Sequence, residues 1–127
     1  GAPPPWLATS GLQRCERGCV ATGATLQSLS HPNVFAAGDV ATRLDVMHPK
    51  SGVYAVRAGP PLAANLRRAA EGRALRRHQP PSRTLNLLSC GECHAIASWN
   101  GWSTEGAWVW RWKDRIDRRF IARYVQE

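Results

Sequence analysis

Residues 30 to 41 read SHPNVFAAGDVA, and this stretch decides the fold that the sequence predicts. Its apolar run at 34–37 is bounded by turn-forming residues at 31–33 and by Gly38-Asp39. A short run that is apolar throughout and stops at a glycine is typical of a buried parallel strand. We therefore expect a strand over 34–37, with Gly38 and Asp39 at its carboxyl end.

Gly38 and Asp39 are the first candidate ligand-binding residues. In open α/β sheets, ligands bind at the carboxyl ends of the strands. Gly38 would let the backbone approach a bulky ligand closely, because glycine has no side chain. Asp39 could accept hydrogen bonds from sugar-like hydroxyls, and a following helix N-terminus could face a phosphate or a ring carbonyl. The alternative is a simple turn or helix cap, in which Asp39 binds no ligand.

The chain after this stretch is predicted to turn helical. The helical pattern starts at Gly52, and apolar residues spaced by three and four favour a second helix, or a kinked continuation, over 61–71. Gly72 occupies the position expected for a glycine just beyond a helix end. The basic, proline-containing segment 73–83 is predicted to be a linker.

The last third of the sequence predicts a β-meander followed by an amphipathic helix. Short strands are expected at 85–88, 95–98 and 107–109, with a turn at Asn100-Gly101. A helix is expected from Trp110, with an aromatic and aliphatic stripe and basic residues around it. The stripe consists of Trp108, Trp112, Ile116, Phe120 and Tyr124. We expect it to pack on the meander; contact with a membrane surface or with nucleic acid are the alternatives.

Composition limits the class of protein, the partners and the compartment that the sequence allows. The chain has 127 residues, a net charge of +8 and 43% hydrophobic residues, which fits a globular domain with a core of its own. The positive charge permits nucleic acid or an anionic membrane as a partner without requiring either. No signal peptide is visible in GAPPPWLATSGL, so we expect a reducing compartment and free thiols at the four cysteines.

Cys90, Cys93 and His94 form a Cys-x-x-Cys-His motif, the spacing of c-type haem attachment. A structural zinc site would need a fourth ligand and usually a second closely spaced pair. A redox dithiol would need a helix N-terminus beside it. Because strand-like residues flank the motif on both sides, we expect a tight hairpin turn rather than any of these three sites.

Longer strings in the sequence resemble a known family. VFAAGDVA resembles the second flavin-binding motif of the pyridine nucleotide-disulfide oxidoreductases. SGVYAVRAGPPLAANL resembles the helix of that family whose start packs against the flavin ring. Within the family, the chain is most similar to the branch of type II NADH dehydrogenases. GVYAVRAGPPLAANLRR and WVWRWKDRIDRRF resemble, more narrowly, the flavoprotein module associated with selenide, water dikinase in bacteria.

The resemblance implies a cofactor, a reaction and the roles of individual residues. Asp39 would bind the ribityl chain of FAD, Gly38 would lie by the ribityl and pyrophosphate region, and Ala55 or Val56 would lie near the ring. The parent reaction would be hydride transfer from NAD(P)H to the flavin, followed by electron transfer to a quinone or another acceptor. No residue of this chain is assigned a catalytic role, and none is assigned to a metal.

The glycine motifs of the family are missing from the sequence. The family has two G-x-G-x-x-G motifs, and none occurs in these 127 residues. We therefore expect the C-terminal part of such an enzyme, of the α+β or α/β class. Residues 1–11 would end the NAD(P)-domain connection, 12–79 would be the second half of the FAD-binding domain, and 80–127 would be a C-terminal meander and helix. Alone, the chain is expected to be inactive and to hold no FAD.

The expected partners follow from the same interpretation. They are the upstream FAD and NAD domains, a second copy of the chain through the surface exposed around 18–40, and a membrane surface through 108–124. Nucleic acid is the least favoured partner. The expected location is the cytoplasm or the periphery of the inner membrane. The alternative function is a basic, tryptophan-rich module that binds a membrane surface or nucleic acid.

Overall fold

The computed structural model describes residues 2–125. The chain divides between Pro81 and Ser82 into two compact units, the N-terminal unit and the C-terminal unit. The described residues contain two small sheets and two long helices. This mixture agrees with the α+β class that the sequence predicts.

The N-terminal unit is built on a pair of short parallel strands. Strand β1 (Val20–Thr22) pairs with β2 (Ala41–Arg43), and Val20 lies opposite Ala41. All three residues of β1 are buried. A small apolar cluster forms around the pair, and its buried members are Leu7, Val20, Ala36 and Ala41.

The predicted strand at 34–37 is wrong. Only an isolated antiparallel bridge between Gln27 and Phe35 forms there, and Ala36 alone in the run is buried. The backbone at 34 and 36 bonds instead to the preceding loop, with Ser28 N–H donating to Val34 and Ala36 N–H donating to Leu26. The parallel strand of this unit comes a few residues later, as β2, because residues 41–43 find a partner in β1.

Helix α1 runs unbroken from Gly52 to Ala70 and contains Pro60 and Pro61 in its interior. The sequence predicts a break or a kink here, because an interior proline removes a backbone hydrogen bond and crowds the preceding turn. Gly72 has a φ of +64°, the left-handed conformation expected beyond a helix end, and that prediction is confirmed.

The segment after α1 has no regular structure, as predicted, but its first half is fixed to the N-terminal unit. Asn65 is fully buried, and its amide nitrogen donates to the carbonyls of Thr25 (2.9 Å) and Arg76 (2.7 Å). The Arg76 N–H donates back to the Asn65 oxygen at 2.9 Å, and the His78 N–H donates to Ala24 at 2.8 Å. Residues 76 to 78 are therefore part of the unit rather than a free linker.

The C-terminal unit is the predicted meander followed by a helix. Strands β3 (Asn86–Gly91), β4 (His94–Trp99) and β5 (Trp102–Gly106) form an antiparallel sheet in chain order. Helix α2 (Ala107–Ile121) follows β5 directly. The strand predicted at 107–109 is wrong, because these residues form the first turn of α2, which also begins before the predicted Trp110.

Helix α2 packs on the sheet through a face other than the predicted stripe. Val109 is fully buried against Ala95 and Ala97, and Trp110 covers part of the same cluster. The stripe residues stay partly exposed, from 38% for Phe120 to 70% for Tyr124. The expectation that the stripe packs on the meander is therefore wrong. Two local ion pairs form along the helix at a spacing of four residues, between Lys113 and Asp117 and between Arg118 and Asp114.

Candidate functional site

Three of the four predicted cofactor-binding residues lie at one small cavity in the N-terminal unit. Gly38, Asp39 and Ala55 all line it. Val56 does not; its side chain is 48% exposed. Residues that the sequence analysis did not single out complete the lining, among them Arg43, His48, Lys50, Ser51, Tyr54 and His78.

A short 3₁₀ turn, Gly38–Val40, carries the candidate residues. Gly38 has a φ of +74°, a conformation that favours glycine, and a Cβ added there would lie 3.5 Å from the Ala55 Cβ. The turn therefore packs closely against the first part of α1. It precedes β2, so Asp39 lies at the amino end of a parallel strand and not at the predicted carboxyl end.

Lys50 holds this turn in place. Its ammonium donates to the backbone carbonyls of Asp39 (2.7 Å) and Ala41 (2.9 Å) and to the sulfur of Cys19 (2.9 Å). It thereby fastens the turn and the start of β2 to the buried end of β1. The sequence offered no signal for this role, because Lys50 stands in an irregular stretch without periodicity.

A buried arginine forms another part of the lining. The Arg43 side chain is 5% exposed and pairs with the Asp45 carboxylate, and it also donates to the carbonyl of His78 at 2.5 Å. The hydrogen bond from Arg43 lowers the pKa of Asp45. The pKa of His78 is also lowered, first by burial and then by the charges of Arg43 and His48, so its imidazole is neutral at neutral pH.

The cavity is too small to enclose a flavin ring. Its enclosed volume is about 30 Å³, which is the space of one water molecule. The Asp39 side chain is exposed at the rim, and no group in residues 2–125 forms a hydrogen bond or ion pair with its carboxylate. The buried Ser51 hydroxyl also lacks a partner within that range. A polyol chain at the rim would find an acceptor in Asp39, whereas a flavin ring would have to lie outside.

A larger, open cleft lies on another side of Lys50. Its volume is about 630 Å³, and its lining includes Arg17, Thr42, Arg43, His48 and Lys50. Arg17 and Lys50 contribute positive charge, the charge of Arg43 is paired with Asp45, and the described lining contains no acidic residue. The cleft can therefore attract small anions.

The Cys-x-x-Cys-His motif lies across the turn between β3 and β4, as the sequence predicts. Glu92 and Cys93 have φ values of 44° and 55°, which is typical of a two-residue hairpin turn. Both Cys90 and Cys93 are exposed. In the described part of the chain, no three His, Cys, Asp or Glu side chains come together as metal ligands do.

The C-terminal unit has an apolar groove of its own, of about 420 Å³. Trp99, Trp102 and Trp112 line it, together with Leu85 and Ala97. Trp102 is 80% exposed, and Trp108 stacks on Trp112 with ring centroids 6.5 Å apart. Within residues 2–125, neither helix is long and apolar enough to span a bilayer.

Comparison with known proteins does not identify a family for this chain. No protein-family model matches the chain, and no curated protein matches it. What the chain does is therefore inferred from the residues at the cavity, the cleft and the groove.

Proposed function

We propose that this chain is the C-terminal part of an FAD-dependent NAD(P)H oxidoreductase, in which Gly38 and Asp39 contact the ribityl chain of the cofactor. The proposal is supported by one observation above the others. Gly38, Asp39 and Ala55 are 17 positions apart at most, yet they converge on the rim of a single cavity. The motifs that resemble the pyridine nucleotide-disulfide oxidoreductases contain these same residues.

The residues of this chain would bind and orient the cofactor. FAD, when bound, supplies the hydride chemistry, and the protein positions it. Gly38 forms the positive-φ turn that places Asp39 at the rim, and the unpaired Asp39 carboxylate accepts hydrogen bonds from ribityl hydroxyls. The start of α1, with Ala55 and Val56, would lie beside the ring outside the cavity. The pyrophosphate requires a glycine-rich loop that would belong to an upstream segment.

The reaction of the complete protein would be hydride transfer from NAD(P)H to the flavin and electron transfer onward to a quinone or a similar acceptor. In this proposal, no residue of this chain acts as a proton donor or nucleophile in the reaction. Without the pyrophosphate loop, its affinity for FAD should be low, so the isolated chain should be colourless and inactive.

The test is to express the chain joined to its native upstream reading frame. We expect that frame to contain G-x-G-x-x-G motifs and the purified protein to show flavin absorbance. In that protein, Asp39→Ala should raise the Kd of FAD at least tenfold, because a charge-assisted hydrogen bond contributes about 1.5–3 kcal/mol. Thermal stability without FAD should barely change, since the Asp39 side chain is exposed.

Glu16→Ala is the matched control, because Glu16 is an exposed carboxylate of the same unit that does not line the cavity. Its FAD affinity should equal that of the parent. A reading frame without glycine motifs, or a complete protein that purifies without flavin, would contradict the proposal. So would equal losses of FAD affinity in the Asp39 and Glu16 variants.

A second candidate function belongs to the C-terminal unit. The stripe on α2 remains partly exposed beside the tryptophan-lined groove, instead of packing on the sheet. Six basic side chains accompany it against two acidic ones: Arg111, Lys113, Arg115, Arg118, Arg119 and Arg123 against Asp114 and Asp117. Tryptophan with arginine suits the headgroup region of an anionic membrane surface. We propose that surface as the partner of the stripe.

A further inference from the structure

Cys15 and Cys19 face each other across a tight hairpin in the N-terminal unit. The Cys15 N–H donates to the Cys19 carbonyl at 2.8 Å, and the Gly18 N–H donates to the Cys15 carbonyl at 2.8 Å. Gly18 has a φ of +80°, which completes a three-residue loop closed by the two cysteines. Directly opposed residues have Cα atoms about 5.5 Å apart, within the range of about 4.4–6.8 Å that a disulfide spans.

The two sulfurs have different surroundings. Cys19 is 2% exposed, and its sulfur accepts a hydrogen bond from the Lys50 ammonium at 2.9 Å. Two backbone carbonyls also bind this ammonium, so it is held in position. A fixed cation at this distance stabilises negative charge that develops on a sulfur. Cys15 is only partly buried and is therefore the sulfur that an external reagent can reach.

Cys15 is also the thiol that ionises more readily than usual. Burial alone would raise its pKa, but donors that favour the thiolate, first the Thr42 hydroxyl and then the backbone at Cys19 and Arg17, outweigh burial and lower the pKa. The Cys19 side chain contributes in the same direction. The buried Thr42 hydroxyl has no hydrogen-bond partner in residues 2–125, so it is free to donate to a Cys15 thiolate once one forms.

We propose that Cys15 and Cys19 form a reversible dithiol–disulfide pair whose oxidant is a small anionic disulfide, such as glutathione disulfide. The Cys15 thiolate attacks one sulfur of glutathione disulfide, which breaks the S–S bond and releases one glutathione thiolate. Cys19 then attacks the Cys15 sulfur of the mixed disulfide and displaces the second glutathione thiolate. The two protein protons end on the two glutathione thiols, so the protein is oxidised and glutathione disulfide is reduced.

The basic cleft explains why the oxidant should be anionic. Arg17 stands in the hairpin loop between the two cysteines, and it lines the cleft together with Thr42 and Lys50. Glutathione disulfide carries carboxylates that these cations can attract to the Cys15 side of the hairpin. The thiols, Lys50 and the cleft all belong to this chain, so the reaction requires no bound flavin.

The test uses trypsin, because Arg17 lies between the two cysteines. Cleavage after Arg14, Arg17 and Arg43 leaves the thiols on separate peptides, 15–17 and 18–43, which stay joined only by a disulfide. The chain should carry Cys90→Ser and Cys93→Ser, so that only this pair can react. After incubation in a buffer of oxidised and reduced glutathione and alkylation of free thiols, mass spectrometry measures the joined peptides.

We expect the joined peptides to be about tenfold more abundant from the folded chain than from the chain in urea at the same glutathione ratio, because the hairpin aligns the thiols. Lys50→Met should slow the oxidation about tenfold, and Lys50→Arg should restore most of the rate. Equal amounts of the joined peptides from the folded chain and from the chain in urea would overturn the proposal. A stable glutathione adduct on Cys15 would do so too, because it would show that Cys19 cannot reach the mixed disulfide.

Discussion

At the scale of single residues, the N-terminal unit depends on buried polar side chains that bind backbone groups. Asn65 is the clearest case, because one side chain satisfies three backbone groups in two different segments. It connects α1 to the loop after β1 and to the segment that follows the helix. A hydrophobic side chain at this position could pack equally well but would leave all three groups without partners.

Asn65→Ala should therefore lower the free energy of unfolding by about 3 kcal/mol, since each buried group left unpaired costs about 1–3 kcal/mol. Asn65→Asp should be at least as damaging, because a carboxylate cannot donate to the carbonyls of Thr25 and Arg76. Urea denaturation measures both effects. Arg67→Ala, at an exposed site on the same helix, should change stability by less than about 0.5 kcal/mol. A similar small loss for Asn65→Ala would refute the stated role.

The candidate site could be predicted from sequence only where local pattern carried the information. The Gly-Asp pair at 38–39 was found because a glycine after an apolar run is a local signal. Lys50 and Arg43 were missed, since their partners are backbone carbonyls that the chain brings near only on folding. For the same reason Asp39 was placed at the wrong end of a strand: the pairing of residues 20–22 with 41–43 is not local.

At the scale of elements, turns and the pairing of neighbouring strands were predictable, and the pairing of distant strands was not. The turn at Asn100-Gly101 has φ values of 50° and 85°, as such a dipeptide favours. Helix α1 shows the opposite case, because it continues through two prolines that locally argue for a break. Its amphipathic packing evidently outweighs a local cost of about 3 kcal/mol for each interior proline. Tertiary contacts decide whether a helix continues through a proline, and the periodicity of the sequence does not reveal those contacts.

The exposed stripe of α2 leads to a prediction about that element. The chain should sediment with vesicles that contain phosphatidylserine and should stay in the supernatant when the vesicles contain only neutral phosphatidylcholine. It should dissociate from the anionic vesicles as salt is raised. Replacing both Trp108 and Trp112 by alanine should weaken vesicle binding about tenfold, because their apolar area then no longer enters the headgroup layer. Tryptophan fluorescence should shift to shorter wavelength on binding.

Trp6→Ala is the control for that experiment, since Trp6 is 60% exposed but lies in the N-terminal unit. It should leave vesicle binding unchanged. If the double variant and Trp6→Ala bind equally well, the stripe is not the membrane-binding surface. Binding that is indifferent to lipid charge would contradict the part assigned to the arginines.

At the scale of the whole molecule, charge and exposed apolar surface act against each other. A net charge of +8 on 127 residues makes the copies of the chain repel one another. In the described residues, β2 pairs with β1 alone, so its other edge carries no strand. The Lys50 ammonium binds the Ala41 carbonyl of β2, but Leu44, just beyond the strand, is 52% exposed. Edges of this kind seek strand partners. Charge repulsion between copies should therefore prevent association at low salt, and screening of the charge by salt should allow it.

We expect the chain to scatter light as a monomer in dilute buffer and as larger species at high salt, because the Debye length falls from about 10 Å at 0.1 M to about 3 Å at 1 M salt. Leu44→Lys should suppress this association, since a charge at the strand edge blocks pairing. Leu66→Lys adds the same charge at a 46% exposed site on α1, and it should suppress association less. If both variants act alike, net charge alone governs association. If the parent chain stays monomeric at every salt concentration, the open edge of β2 does not recruit a second copy.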